Sequence, residues 1–253
     1  MSGGRLGPNG LPRDQVPTTF DHGAAEYDRL VGFNPGYHKH LRLSAQRMQL
    51  PDGGAGLRLL DAGCGTGAST AALLSVAPDA EIVAVDASEQ MLARARAKSW
   101  PSTVRFHHTR IEDLDTTGSG GRFDGIFAAY LLRNLADPDA QLRAFAALLR
   151  PGAPLALHEY SVRGSLPARL VWNIVCGAVI IPLGALLTGD ATLYRHLRRS
   201  VTAFDSVPQL RARLHVNGFT GIRAATVPGW QHGIVHTLTA TVPRPGSESG
   251  RTP

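Results

Sequence analysis

Cysteine is nearly absent from this 253-residue chain, which holds only Cys64 and Cys176. Two thiols cannot build a disulfide framework or a four-thiolate zinc site. Charge is sparse as well. Charged residues make up 18% of the chain and hydrophobic ones 43%, against roughly 25% charge in an average soluble domain, and this balance excludes intrinsic disorder over most of the length. Lysine is almost missing: of 26 basic residues only Lys39 and Lys98 are lysines, so arginine carries the net charge of +6. An arginine excess suits phosphate binding, yet it also follows from a GC-rich coding sequence, and no window holds the dense basic run of a nucleic-acid tail. No nucleic-acid partner is expected. No charged segment followed by an apolar run stands near Met1, so the expected setting is cytoplasmic. Among the ten histidines, His38 and His40 lie two apart and His107 and His108 are adjacent, with no Cys or carboxylate at ligand spacing. No metal is expected.

The chain length fits one α/β domain, expected over residues 19–243, with mobile ends at 1–18 and 244–253, where Gly, Pro and polar residues show no period. Between about 57 and 160 strand and helix patterns alternate: LRLLDAG, TAALLSV, EIVAVD, EQMLARARAK, TVRFHH, FDGIFAAY, AQLRAFAALLR and LALHEYS. That alternation predicts a parallel sheet with crossover helices. A helical insertion is expected at about 164–200, followed by the helix PQLRARLHVNGF and two strands, GIRAATV and IVHTLTATV, that would close the sheet.

The run Asp61-Ala62-Gly63-Cys64-Gly65-Thr66-Gly67 falls where a buried strand gives way to a helix. Glycines there let the backbone approach a ligand, and the helix start offers unpaired N–H groups. Asp86 ends the next strand, nineteen residues beyond Gly67, where a carboxylate can accept from both ribose hydroxyls of an adenosine cofactor. Gly63-x-Gly65-x-x-Ala68 also satisfies the dinucleotide pattern GxGxxG/A. Asp61 separates the two readings: a carboxylate directly before the loop opposes a pyrophosphate but suits a cofactor carrying an ammonium and a sulfonium. S-adenosylmethionine is favoured over NAD. A glycine turn that serves only helix packing would explain Gly67 but not the pair of aspartates.

DAGCGTG followed by VDAS-x-x-ML resembles the class I S-adenosylmethionine-dependent methyltransferases. Within them, Leu132-Arg133-Asn134, Leu149-Arg150-Pro151-Gly152 and His158-Glu159-Tyr160-Ser161 are similar to the ubiquinone/menaquinone C-methyltransferase branch. So are Phe20-Asp21 with Ala24, Tyr27 and Asp28, and Gly189-Asp190-Ala191 with Tyr194-Arg195-His196-Leu197 and Gly233-Ile234-Val235 further on. The resemblance implies a Rossmann-like α/β fold: a mostly parallel seven-stranded sheet, helices on both faces, an N-terminal cap and a helical lid. It carries cofactor contacts onto Tyr27, Asp61, Gly63, Gly65, Thr66, Gly67, Asp86, Ala87, Met91, Ile111, Glu112 and Ala129. Thr66 would lie against the methionine part, and Met91 would cover the adenine or simply pack the core. The chain departs from the branch twice. Arg110-Ile111 stands where the branch has an acceptor for the adenine amino group, leaving Glu112 or Asp113 to replace it, and Ala129-Tyr130 stands where a small hydroxylated residue is usual.

Methyl transfer from a sulfonium is an in-line displacement, so the protein mainly positions the acceptor. An aromatic carbon becomes nucleophilic when a neighbouring hydroxyl ionises, and a guanidinium stabilises that anion. Arg133 is the candidate, the alternative being a surface pair with Asp137 or Asp139. Asn134 would bond an acceptor oxygen or cap the next helix. His158 and Glu159, at the end of the fifth strand, are the candidate acid–base groups, and alternation lets only one of them face the pocket. Tyr194, His232 and His236 are weaker candidates. The reaction expected is methylation of a small lipophilic acceptor, foremost a ring carbon of a quinol-like molecule. Oxygen or nitrogen methylation of a natural product is the alternative, with an RNA methyltransferase or a non-catalytic cofactor-binding scaffold behind it.

Residues 170–189, LVWNIVCGAVIIPLGALLTG, form twenty residues without charge. That is long enough to cross a bilayer. Asn173, Pro182 and three glycines oppose a continuous spanning helix. The expectation is an apolar lid that touches the inner face of the membrane without crossing it, with an ordinary buried helix as the plain alternative. A homodimer is left open.

Overall fold

A computed structural model describes residues 34–116, 120–188 and 191–245. Tyr27, the 1–18 segment and the end of the tail lie outside the described residues. The strands form as the apolar runs predict: β1 (Arg58–Ala62), β2 (Glu81–Asp86), β3 (Val104–His108), β4 (Gly125–Ala129), β5 (Pro154–Tyr160), β6 (Thr220–Thr226) and β7 (Val235–Thr241). They make one sheet in the order β3-β2-β1-β4-β5-β7-β6. The first five run parallel, and β7 is antiparallel to both of its neighbours. The fold is a Rossmann-like α/β sheet.

Both faces of the central strands are covered, which is why β1, β2, β4 and β5 read as continuous apolar runs rather than alternating ones. Leu59, Phe127 and Ala156 point to one face, under α1 (Tyr37–Gln46) and α2 (Ala68–Val76). Leu60, Ile126 and Leu155 point to the other, under α4 (Pro138–Leu148). Local chemistry starts the helices. Ser88 accepts from the Met91 amide to begin α3 (Glu89–Arg96), and Asp137 accepts from Ala140 N to begin α4 with Pro138 in its first turn. Ser165 starts α5 (Leu166–Val175) in the same way, and Ser206 with Gln209 forms a reciprocal capping box on α8 (Val207–Val216).

The apolar stretch corrects the sequence reading in one respect. Gly177, Pro182 and Gly184 do not interrupt it: α5 continues through a π-helical turn, Cys176–Ile180, into α6 (Ile181–Thr188). Pro182 lacks an N–H and its ring presses on the carbonyl four residues back, Ala178, which lies in the widened π turn. The wider turn absorbs the proline without breaking the rod. A further helix, α7 (Thr192–Ala203), lies against the rod.

The strand order reverses between β1 and β4, and such a switch leaves a crevice at the carboxyl ends of the strands. Phe145 of α4 is fully buried beneath that half of the sheet. Phe145→Ala should lower unfolding stability by about 3–5 kcal/mol with an unchanged denaturant slope. Urea melts of the two proteins check this.

Candidate functional site

Three glycines with positive φ shape the loop after β1: Gly63 at 71°, Gly65 at 54° and Gly67 at 90°. They do different work. A Cβ on Gly63 would stand 2.9 Å from Leu131 Cδ1 and one on Gly67 2.8 Å from Trp100 Cζ2, so these two serve close packing. Gly65 has nothing within 4 Å, because it faces the open crevice. The loop is tied to β2 by the amides of Gly63 and Cys64, which both donate to Val85 O. Asp86 completes the tie: its carboxylate accepts from Gly65 N at 2.8 Å and from Ser88 N at 2.9 Å.

The crevice opens into a cavity of about 400 Å³. Gly63, Gly65, Thr66, Asp86, Ala87, Met91, Ile111, Glu112, Ala129, Arg133 and Asn134 all line it. Glu112 sits there beside Arg110, their closest approach being 3.4 Å, whereas Asp113 does not reach the wall. Asp61 and Gly67, expected as cofactor contacts, do not line the cavity. Asp61 is fully buried, and its Oδ2 accepts from Ser69 at 2.8 Å and Thr70 at 2.6 Å. Burial pushes its carboxyl up to about 7 against the opposing pull of those hydroxyls. Cys64, also buried, has its thiol pushed up by the same cause and stays an inert packing group.

Beyond the loop the wall turns aromatic. Tyr130 follows β4 with φ of 57°, a left-handed conformation uncommon outside glycine. Its ring stacks between Tyr37 (5.8 Å) and Tyr160 (4.8 Å), and Tyr160 in turn packs on Trp172. In the sequence Tyr130 stands out only as a departure from a small hydroxylated residue and Tyr160 only as part of the His158–Ser161 run, and Tyr37 carries no signal. Nothing local signals that residues from α1, β4 and β5 converge. Tyr194 and His196 reach the cavity from α7, while His232 and His236 do not.

Arg133 is 8% exposed, and its Nη1 donates to Glu159 Oε2 at 2.8 Å and to Tyr130 O at 2.9 Å. Neither suggested local partner holds it. Asp137 caps α4, and Asp139 pairs with Arg213. Asn134 does not cap that helix but donates to Tyr130 O. His158 and Glu159 are both buried behind the cavity wall. Burial raises the Glu159 carboxyl while Arg133 opposes the rise. His158, pointing to the other face of the sheet, bonds Ser44 Oγ through Nδ1 at 2.7 Å and the Tyr130 hydroxyl through Nε2 at 2.9 Å. Burial, with His40, Arg47, His236 and Arg133 nearby, pushes this imidazole down to about 3.

Residues 59–152 match the family described as a methyltransferase domain. The chain is 31% identical over 204 residues to a demethylmenaquinone methyltransferase of Thermus thermophilus, covering 79% of this chain and 91% of that one. It belongs to the class I S-adenosylmethionine-dependent methyltransferases, in the family of the demethylmenaquinone methyltransferases. A ubiquinone/menaquinone biosynthesis C-methyltransferase of Syntrophotalea carbinolica is 29% identical over 238 residues, covering 93% of this chain and 97% of the relative. Among solved structures, a magnesium protoporphyrin IX methyltransferase of Synechocystis with bound S-adenosylmethionine shares the fold, with a TM-score of 0.61 at 17% identity over 95% of this chain and all 100% of that one.

The glycine crevice of this methyltransferase fits S-adenosylmethionine. Gly65 leaves open the space a side chain would fill, and the Asp86 carboxylate, oriented by two amides, lines the crevice at the end of β2, where a carboxylate accepts from ribose hydroxyls. The Asp86 carboxylate on the wall suits a cationic cofactor and opposes a pyrophosphate, while Glu112 is paired with Arg110 on the same wall. Among the described residues no group of three His, Cys, Asp or Glu side chains could hold a metal.

The depressed His158 gives a signed pH effect. Between about 3 and 6.5 the unfolded chain protonates this imidazole and the native one does not, so the unfolded state binds more protons. The contribution is complete above 6.5 and is lost as pH falls, with a slope of up to ~1.4 kcal/mol per pH unit. Denaturant unfolding from pH 7 to pH 4 should therefore cost the wild type more stability than His158→Leu. Parallel profiles would show that His158 takes up its proton without unfolding.

Proposed function

We propose that this methyltransferase transfers the methyl group to a ring carbon of a small, lipophilic, quinol-like acceptor. The observation that carries this is a guanidinium, Arg133, fixed on the aromatic wall of a cavity continuous with the cofactor crevice. The chemistry that S-adenosylmethionine supplies when bound is an electrophilic methyl group on a sulfonium.

The chain's own residues do the positioning. Asp86 accepts from the ribose, with its carboxylate orientation set by the Gly65 and Ser88 amides. Met91 and Ile111, both buried, flank the adenine side, and Glu112 stands in for the acceptor that Arg110 displaces. Tyr37, Tyr130 and Tyr160 give the flat apolar surface that a ring system stacks on. The acceptor's hydroxyl gives its proton to solvent, and Arg133 donates to the oxyanion so formed. The charge raises electron density on the adjacent ring carbon, which takes the methyl and then loses its C–H proton to water while the oxygen regains one. Glu159 orients Arg133 from behind. His158 does not take the proton directly, since Tyr130 stands between it and the cavity and its own basicity is suppressed. The relatives named for quinone methylation, alike over most of their length, support the same acceptor class.

Purified chain given a demethylated naphthoquinol and S-adenosylmethionine carrying a carbon-13 methyl should yield a product whose label is bonded to carbon in NMR. A label on oxygen, or no product, would reject the reading. Arg133→Ala alone would strand Glu159 in the core, at a cost of about 3–5 kcal/mol. The informative variants are therefore Arg133→Lys and the pair Arg133→Gln with Glu159→Gln. The lysine variant should keep part of the turnover and the neutral pair should lose ~100-fold or more, with cofactor affinity little changed in either. Asp86→Ala should do the opposite, weakening cofactor binding ~10-fold or more in calorimetry while the fold persists.

A further inference from the structure

The rod that runs Leu166–Leu186 has a mean hydropathy of 1.8, yet only 17% of that window is buried. It is therefore unlike a core helix. Leu166 (81% exposed), Leu170 (62%) and Ile174 (57%) repeat every four residues along one face, and Leu186 (82%) extends the apolar surface toward the far end. Exposed apolar side chains aligned in this way are rare on a protein that meets only water. The opposite stripe, Ala168, Trp172 and Cys176, is locked into the domain core, with Trp172 fully buried against Tyr160. The rod cannot leave to span a bilayer without unpacking that stripe.

Beside the exposed face lies a second cleft, between α5 and α7. Arg195, Arg198 and Arg199 share one face of α7, and Arg169 joins them from α5. Arg198 Nε donates to Asn173 Oδ1 at 2.8 Å, which fixes its guanidinium at the cleft. Among the described residues no carboxylate pairs with any of the four. The sequence explains why: from Arg163 to Phe204 the only acidic residue is Asp190.

We propose that this face docks the enzyme on an anionic phospholipid surface, the four arginines taking lipid phosphates while Leu166, Leu170 and Ile174 enter the acyl boundary. The two features need each other's surroundings. Guanidinium forks pair with phosphate oxygens at the headgroup level, and the leucines gain by leaving water just beneath it. A protein partner would have to supply several carboxylates around an apolar groove, whereas one phospholipid monolayer offers both chemistries at the right depth. The third face of the rod, with Val175, Ile180 and Leu183, lines the substrate cavity. Docking therefore sets the rod between the cavity and the lipid phase. The docking itself stands whether or not the acceptor is a quinol.

Flotation of the full chain with vesicles tests it. The protein should rise with phosphatidylcholine vesicles containing phosphatidylglycerol, far less with phosphatidylcholine alone, and should be released by molar salt. Arg195→Gln with Arg199→Gln should weaken partitioning about fivefold per arginine, ~25-fold together. Leu170→Gln with Ile174→Gln should weaken it as well, and calorimetry with S-adenosylmethionine should show unchanged cofactor affinity in both variants. Glycerol phosphate in solution should not displace the protein. Equal binding to neutral and anionic vesicles, no flotation at all, wild-type flotation of the arginine variant, or displacement by glycerol phosphate would each overturn the proposal.

Discussion

A guanidinium can sit on the wall of an apolar cavity only if an anion is buried with it, and the Arg133–Glu159 pair meets that condition. The pair bridges the ends of two neighbouring strands. β4 and β5 run parallel with Ala129 opposite His158, so the chain leaving β4 turns directly over Glu159. Arg133 also donates to the carbonyl of Tyr130, which closes the turn on itself. Loss of either charge would release the turn, the tyrosine and the cavity wall together. The surrounding structure is arranged to keep both charges dry and paired.

Tyr130 shows how that arrangement reaches across the sheet. Its positive φ costs of order 1–3 kcal/mol and persists only where neighbours hold it. On one side the Arg133 guanidinium and the Tyr37 and Tyr160 rings clamp it. On the other its hydroxyl meets His158, which is linked through Ser44 to Thr237 and onward to Arg47. Antiparallel β7 makes this chain of contacts local, because Thr237 lies opposite His158 in the ladder. The cavity thus has Asp86 and the Arg110–Glu112 pair beside the glycine loop and the Arg133 guanidinium farther along, with a stack of rings on its wall. On the proposed reading, negative charge on the acceptor develops beside Arg133.

The glycine loop and Asp86 were legible in the sequence because their chemistry is local: spacing alone sets a turn and a carboxylate at successive strand ends. The alternation of apolar runs gave the order of the elements for a similar reason. Long-range partners were not legible. Asp137 and Asp139 stand within six residues of Arg133, yet cap geometry claims one and Arg213 the other. The true partner is 26 residues away and is brought near only by strand register. Proline in the apolar stretch misled in the same way, since a propensity rule reads one residue and a π turn distributes the strain over five. The alternation rule for His158 and Glu159 identified opposite faces. It could not show that Tyr130 and Arg133 would each cover one of them.

The rod over the cavity is constrained from three directions at once, and this explains a composition that looks wrong for any single role. A buried helix would not expose Leu166 and Leu186, a solvent helix would not lack charge for twenty residues, and a spanning helix would not bury Trp172 in a soluble core. Each stripe is satisfied by a different neighbour: the aromatic core, the cavity, and whatever covers the outer face. The π turn rotates the stripes relative to one another midway along the rod. Val175, just before the turn, and Ile180, its last residue, both reach the cavity five positions apart, while Ile174 is more than half exposed and Val179 lines the cavity with half of its surface still open. A regular helix carrying Pro182 would have to kink at that point, and a kink would pull one of the two halves off the cavity wall.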